Sequence, residues 1–127
     1  MEQGAIEKEI CDKAKEWAEE YGEDFLIELV GDYLHEASAR VARLCQALAS
    51  GDADTLTYEA HTLKSSSANL GAQTFSDLAK QFEEAGREGN LAALVDDVEV
   101  FERQFAAVKT SLEKLRSAPS EFLAQER

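Results

Sequence analysis

The sequence predicts an all-α fold: an antiparallel up-down four-helix bundle with an additional short N-terminal helix packed at one end. Three observations lead there. Apolar residues recur at steps of three and four through nearly the whole chain. Ala, Leu, Glu and Lys abound, against one Pro and seven Gly, a composition that favours helices over a sheet. The breaks between periodic runs are short, as connections between antiparallel neighbours must be.

Residues 5–20 read as the short first helix, with Ile6, Ile10, Ala14 and Trp17 on one side and Tyr21-Gly22 ending it. The second, near 23–49, carries Leu26, Val30, Tyr33, Ala37, Val41, Leu44 and Leu48 inward. Ser50-Gly51 closes it, and Asp52 is placed to cap the third helix. That helix, near 53–69, has a thinner stripe of Leu56, Ala60, Leu63, Ser67 and Leu70. After Gly71 a fourth helix runs to about Arg87 on Phe75, Leu78, Phe82 and Ala85. Gly89-Asn90 reads as stop and start, and the last helix spans 91–116 on Leu91, Leu94, Val98, Phe101, Phe105, Val108, Leu112 and Leu115. Acids early in that helix and bases late suit its dipole, and Pro119 marks its end. The expected domain is 1–117, with 118–127 a loosely ordered tail. A stripe of this kind with several helices to share it favours a closed monomeric bundle over a coiled-coil dimer.

Composition also restricts function. The 127 residues hold 26 acids against 13 bases, a net charge of −13, which disfavours phosphate backbones and anionic membrane surfaces. Partners should be proteins. No run approaches the roughly 18 apolar residues of a spanning helix, and MEQGAIEKEI lacks the basic-then-apolar order of a signal peptide, so a cytoplasmic location is expected. Cys11 and Cys45 lack disulfide or zinc spacing and read as reduced packing residues.

The third helix departs from a purely structural pattern. Beside its inward stripe lie Thr57, His61, Lys64, Ser65 and Ala68, small side chains around one imidazole and one ammonium. A face cleared in this way lets another protein bring a reactive group close to the ring. A neutral imidazole is nucleophilic at physiological pH and can carry a phosphoryl group covalently. Lys64, one turn on, is placed to reach phosphoryl oxygens. His35, among Asp32, Glu36 and Ser38, reads as an ordinary surface residue, and no pattern supports a metal centre. Neither a Gly-rich phosphate loop nor kinase motifs are present.

The run from His61 to Ala72, HTLKSSSANLGA, resembles the signature of histidine-phosphotransfer (HPt) domains, H-x-L-K-G-S-S-x-x-L-G-A, and departs from it only at Ser65. The likeness in architecture covers roughly 5–116, its specific part about 55–90. The resemblance implies that His61 is phosphorylated and that Lys64 contacts the phosphoryl group. It also implies a Gln or Glu on the next helix that accepts a hydrogen bond from the non-reacting ring nitrogen. Glu83 matches that position, with Gln81 and Glu84 nearby. Thr57, Ser65 and Ala68 are the expected partner-binding face, and Ser in place of the family's Gly adds a short hydroxyl there. The implied function is a phosphorelay intermediate, taking a phosphoryl group from a receiver-domain aspartate and passing it to a response regulator. Such a protein is not an ATP-using enzyme, needs no cofactor of its own, and meets Mg only in the partner receiver. A hybrid sensor histidine kinase stands upstream. The Met start and nearly complete helix boundaries favour a free-standing shuttle over a segment of such a kinase. A non-catalytic helical adapter using the same face is the alternative.

Overall fold

The computed structural model describes residues 2–125. Within them the fold is all-helical: α1 (Glu2–Tyr21), α2 (Glu23–Ser50), α3 (Ala53–Asn69), α4 (Gln73–Arg87), a 3-10 turn at Leu91–Leu94, α5 (Val98–Ser117) and α6 (Pro119–Leu123). Most of the predicted stripe positions form the core, with Trp17, Leu48, Leu78, Ala85, Leu91 and Val98 only partly buried. Leu26, Val30 and Leu44 from α2, Leu56, Ala60 and Leu63 from α3, Phe75 and Phe82 from α4, and Phe101, Val108 and Leu112 from α5 are sealed from solvent. Phe82 stacks on Phe101 with centroids 4.5 Å apart, and Phe75 tilts against Phe101 at 4.9 Å, so aromatic packing locks α4 to α5.

Residues that meet across α2 and α3 run in opposite order, Arg43 with Glu59 and Tyr33 with Ser67. Thr57 meets Gly86 at one end of the α3–α4 pair, and the Lys64 carbonyl accepts from Ser76 Oγ at 2.8 Å towards the other. These pairs are therefore antiparallel. Their connections follow from local chemistry. Gly51 ends α2 in the left-handed conformation at φ 77°, and the Asp52 carboxylate accepts from the Thr55 backbone N–H at 3.1 Å, the expected cap.

Three expectations about the ends are corrected. First, α1 is a full 20-residue helix and not a short one, and it lies along α5. Glu2 pairs with Arg103, Glu7 with Lys114 and Cys11 with the Phe122 carbonyl, in the same chain order on both sides. From Glu9 to Trp17 it abuts the α3–α4 turn. There the Trp17 indole N–H donates to the Asn69 carbonyl at 2.8 Å, and Glu9 accepts from the backbone N–H and the hydroxyl of Thr74. This supplies α4 with the side-chain cap that its own Ala72 cannot give. Gly71, at φ 84°, is needed for that approach as well as for the turn, since a Cβ there would fall 2.5 Å from Lys13 Cβ.

Second, the last helix does not run unbroken from 91. Leu91 and Leu94 sit in a 3-10 turn, whose three-residue period puts both on one side, and α5 begins only after Asp96-Asp97, poor helix-interior residues. Third, the stretch taken for a loose tail contains α6 at 119–123, whose Phe122 is buried and whose backbone is tied to Cys11. Residues 126–127 of that stretch lie outside the described residues. No helix among the described residues is long and apolar enough to cross a membrane. Cys11 is buried and Cys45 half-buried.

Candidate functional site

The site is assembled where α3 and α4 face each other closely. Gly86 makes the approach possible, because a Cβ there would stand 2.3 Å from Thr57 Oγ1 and 3.0 Å from Leu56 Cδ2. With Leu56, Ala60, Leu63 and Ser67 turned inward, helical geometry places His61 on the rim, where its side chain is 54% exposed. Across from it, Glu83 of α4 is only 1% exposed.

Glu83 Oε2 lies 2.8 Å from His61 Nδ1. The same oxygen is 2.6 Å from the Arg87 guanidinium, and Oε1 accepts from Lys64 Nζ at 2.7 Å. Burial pushes the Glu83 carboxyl up. The hydrogen bonds from Lys64 and His61, with the charges of Lys64 and Arg87, outweigh burial and hold it below its ordinary value. It is therefore ionised at neutral pH, and an ionised carboxylate only accepts hydrogen bonds. Nδ1 must carry the ring proton. In the neutral ring the lone pair then sits on Nε2, away from Glu83.

Of the expected face, Ser65 is exposed and Ala68 half-buried. Thr57 is half-buried, with its hydroxyl donating to the Ala53 carbonyl at 2.7 Å, and it lines an open cleft with His61, Tyr58, Asp54, Gly86 and Arg87. Gln81 and Glu84, near Glu83 in sequence, are both exposed. Arg87 was missed by sequence reasoning, although its i,i+4 spacing from Glu83 was a usable signal. So was a second clasp, in which Glu59 of α3 takes Arg40 Nη1 at 2.8 Å and Arg43 Nε at 2.9 Å.

Of the two exposed imidazoles, those of His35 and His61, the His61 ring is held by a buried carboxylate with its outer nitrogen left to react. The sequence model of the Hpt domain matches residues 28–118, and this chain belongs to that family. The crystal structure of histidine-containing phosphotransfer protein B (HptB) from Pseudomonas aeruginosa PAO1 is similar at 31% identity and a TM-score of 0.77, over 84% of this chain and 92% of that one. No curated protein sequence matches. The family places the chain in histidine phosphotransfer within two-component phosphorelays.

Proposed function

We propose that His61 accepts a phosphoryl group from a receiver-domain aspartate and passes it to the aspartate of a response regulator. The observation that carries this reading is the Nδ1–Glu83 bond at 2.8 Å, which leaves an exposed Nε2 as the nucleophile. Nε2 attacks phosphorus, the P–O bond to the aspartate breaks, and its electron pair leaves with the aspartate carboxylate. The ring then carries phosphorus on Nε2 and a proton on Nδ1, so it is cationic, and the Glu83 carboxylate offsets that charge. Transfer onward is the reverse step. Lys64 acts on the phosphoryl oxygens from one turn along α3.

Ser65, Ala68 and Thr57 form the surface against which a receiver docks. The receiver contributes its own aspartate and Mg, and a hybrid sensor kinase contributes the ATP chemistry. The chain works as a cytoplasmic monomer. Incubation with a phosphorylated receiver domain tests this. Acid-labile, base-stable label is expected on the wild type and none on His61→Gln. A protein that binds receivers yet takes no label is an adapter, and that result would overturn the reading.

A further inference from the structure

The bond of 2.8 Å between His61 and Glu83 joins two helices, so it lasts only while α3 and α4 keep their separation. About one turn away along each helix, Thr57 of α3 faces Gly86 of α4. A Cβ on Gly86 would stand 2.3 Å from Thr57 Oγ1, 3.3 Å from Thr57 Cβ and 3.0 Å from Leu56 Cδ2. The other glycines inside helices have room. Among the described residues nothing lies within 4 Å of such an atom on Gly4, and for Gly31 the nearest atom is 3.8 Å away.

Neither neighbour of Gly86 can give way. Thr57 is branched at Cβ, and its hydroxyl is tied to the Ala53 carbonyl at 2.7 Å. Leu56 is sealed in the core. A methyl group at position 86 is therefore accommodated by moving the helices apart, by about 1 Å for an ordinary contact with the hydroxyl. A displacement of that size at Glu83, three residues earlier on α4, stretches the Nδ1–Oε2 distance beyond hydrogen-bond range. Glu83 is 1% exposed, so its side chain has little room to follow. Gly is costly inside a helix and Ala is not, so the helix alone gives no reason for Gly at 86.

We infer that Gly86 and Thr57 are positioning residues for the transfer: the bare backbone of one, set against the hydroxyl of the other, fixes the helix separation at which Glu83 reaches the ring. This rests on the reading of His61 as the acceptor. The pair acts through Glu83. It keeps the ring proton on Nδ1 and the lone pair on Nε2, and it has no need to touch the phosphoryl group.

The test is a double-mutant cycle on Gly86→Ala and Thr57→Ala, with melting curves for every protein. One reading is the rate of labelling from phosphoramidate, a donor too small to need a docking face. The other is the pair of 15N resonances of the His61 ring, which distinguish the Nδ1–H tautomer from its alternative; exposed His35 serves as the reference. With Thr57 in place, Gly86→Ala is expected to mix the His61 tautomers and to slow labelling about tenfold, within the range for a misplacement of about 1 Å. In the Thr57→Ala background the same substitution should cost less than about twofold and leave the Nδ1–H tautomer in place. The His35 resonances should not move.

Wild-type tautomer and rate in Gly86→Ala overturn the inference. So does an equal loss in both backgrounds, which would separate Gly86 from Thr57. If Gly86→Ala alone does not fold, the double variant decides: a folded protein with the Nδ1–H tautomer supports the inference, and mixed tautomers or no fold overturn it. A wild type that takes label from neither phosphoramidate nor a phosphorylated receiver domain overturns the proposed function instead, and the tautomer readings still test the spacing.

Discussion

Two buried carboxylates lie on neighbouring helices, and they are held in different ways. Glu59 of α3 is 4% exposed and is gripped by two guanidinium groups of α2, those of Arg40 and Arg43. Glu83 of α4 is buried to a similar degree, but its partners are an ammonium, a guanidinium and an imidazole. Arginine stays charged under all ordinary conditions, so the Glu59 clasp has one state. The Glu59 carboxylate, with help from Glu36, holds the Arg40 guanidinium above its usual value. The Glu83 cluster contains a ring that changes both its charge and its substituents. One arrangement fastens two helices, and the other holds a nucleophile in the correct tautomer. A buried acid with cationic neighbours is therefore not in itself a sign of function. What distinguishes the two is an exposed nucleophilic partner on one side.

Substitutions at the two acids should separate these roles. The largest effect is expected from Glu83→Ala, which frees the ring to rotate and to choose its tautomer. Transfer to His61 should fall roughly ten- to a hundredfold, the scale seen when a reacting group loses its orientation. Glu83→Gln keeps a carbonyl oxygen for Nδ1 and should be clearly milder. Single-turnover labelling from a phosphorylated receiver checks both, and equal rates in wild type and Glu83→Ala would break the contrast. Glu59→Ala should act on stability instead, costing about 1–3 kcal/mol for the lost charge-assisted bonds, with labelling of His61 unchanged. Urea unfolding measures the first and the same labelling assay the second.

The smallest effect concerns pH. The Glu83 carboxyl sits below its ordinary value of 4.5 in the folded protein. Its contribution to stability is therefore present above about pH 4.5 and lost as pH falls through the depressed folded value. Glu83→Gln should remove that part of the acid unfolding limb and leave stability near neutrality much less changed in its slope with pH. Unfolding free energies measured between pH 3 and 7 in the two proteins give the comparison; parallel acid limbs would contradict it.

The parts of this arrangement that were legible in the sequence share a cause. The α3 stripe is narrow but strictly periodic, so the burial of Leu56, Ala60, Leu63 and Ser67 and the exposure of His61 follow from one period. Asp52 announces its cap because the interaction is local. Glu83 was placed by its match to the family position, and burial then separates it from Gln81 and Glu84. What was missed depends on contacts distant in sequence. The three- and four-residue steps continue through Leu91, Leu94 and Val98, so the periodicity passes unmarked over the break before α5. Five residues are too few for α6 to show a period, and its order comes from α1, which meets it across the fold. The length of α1 likewise rests on polar residues, Glu2 with Arg103 and Gln3 with Ser111, that carry no apolar signal.

Trp17 has a use beyond its packing. It is the single tryptophan of the chain, and its indole N–H is bonded to the carbonyl of Asn69, the last residue of the helix that bears His61. Its ring also lies against Tyr21 and Phe25, with centroids 5.4 and 6.0 Å away. Indole emission responds to hydrogen bonding and to nearby rings. The protein thus contains an optical gauge, seated at the far end of the histidine helix and needing no label, through which any strain arriving along that helix can be read as colour and brightness.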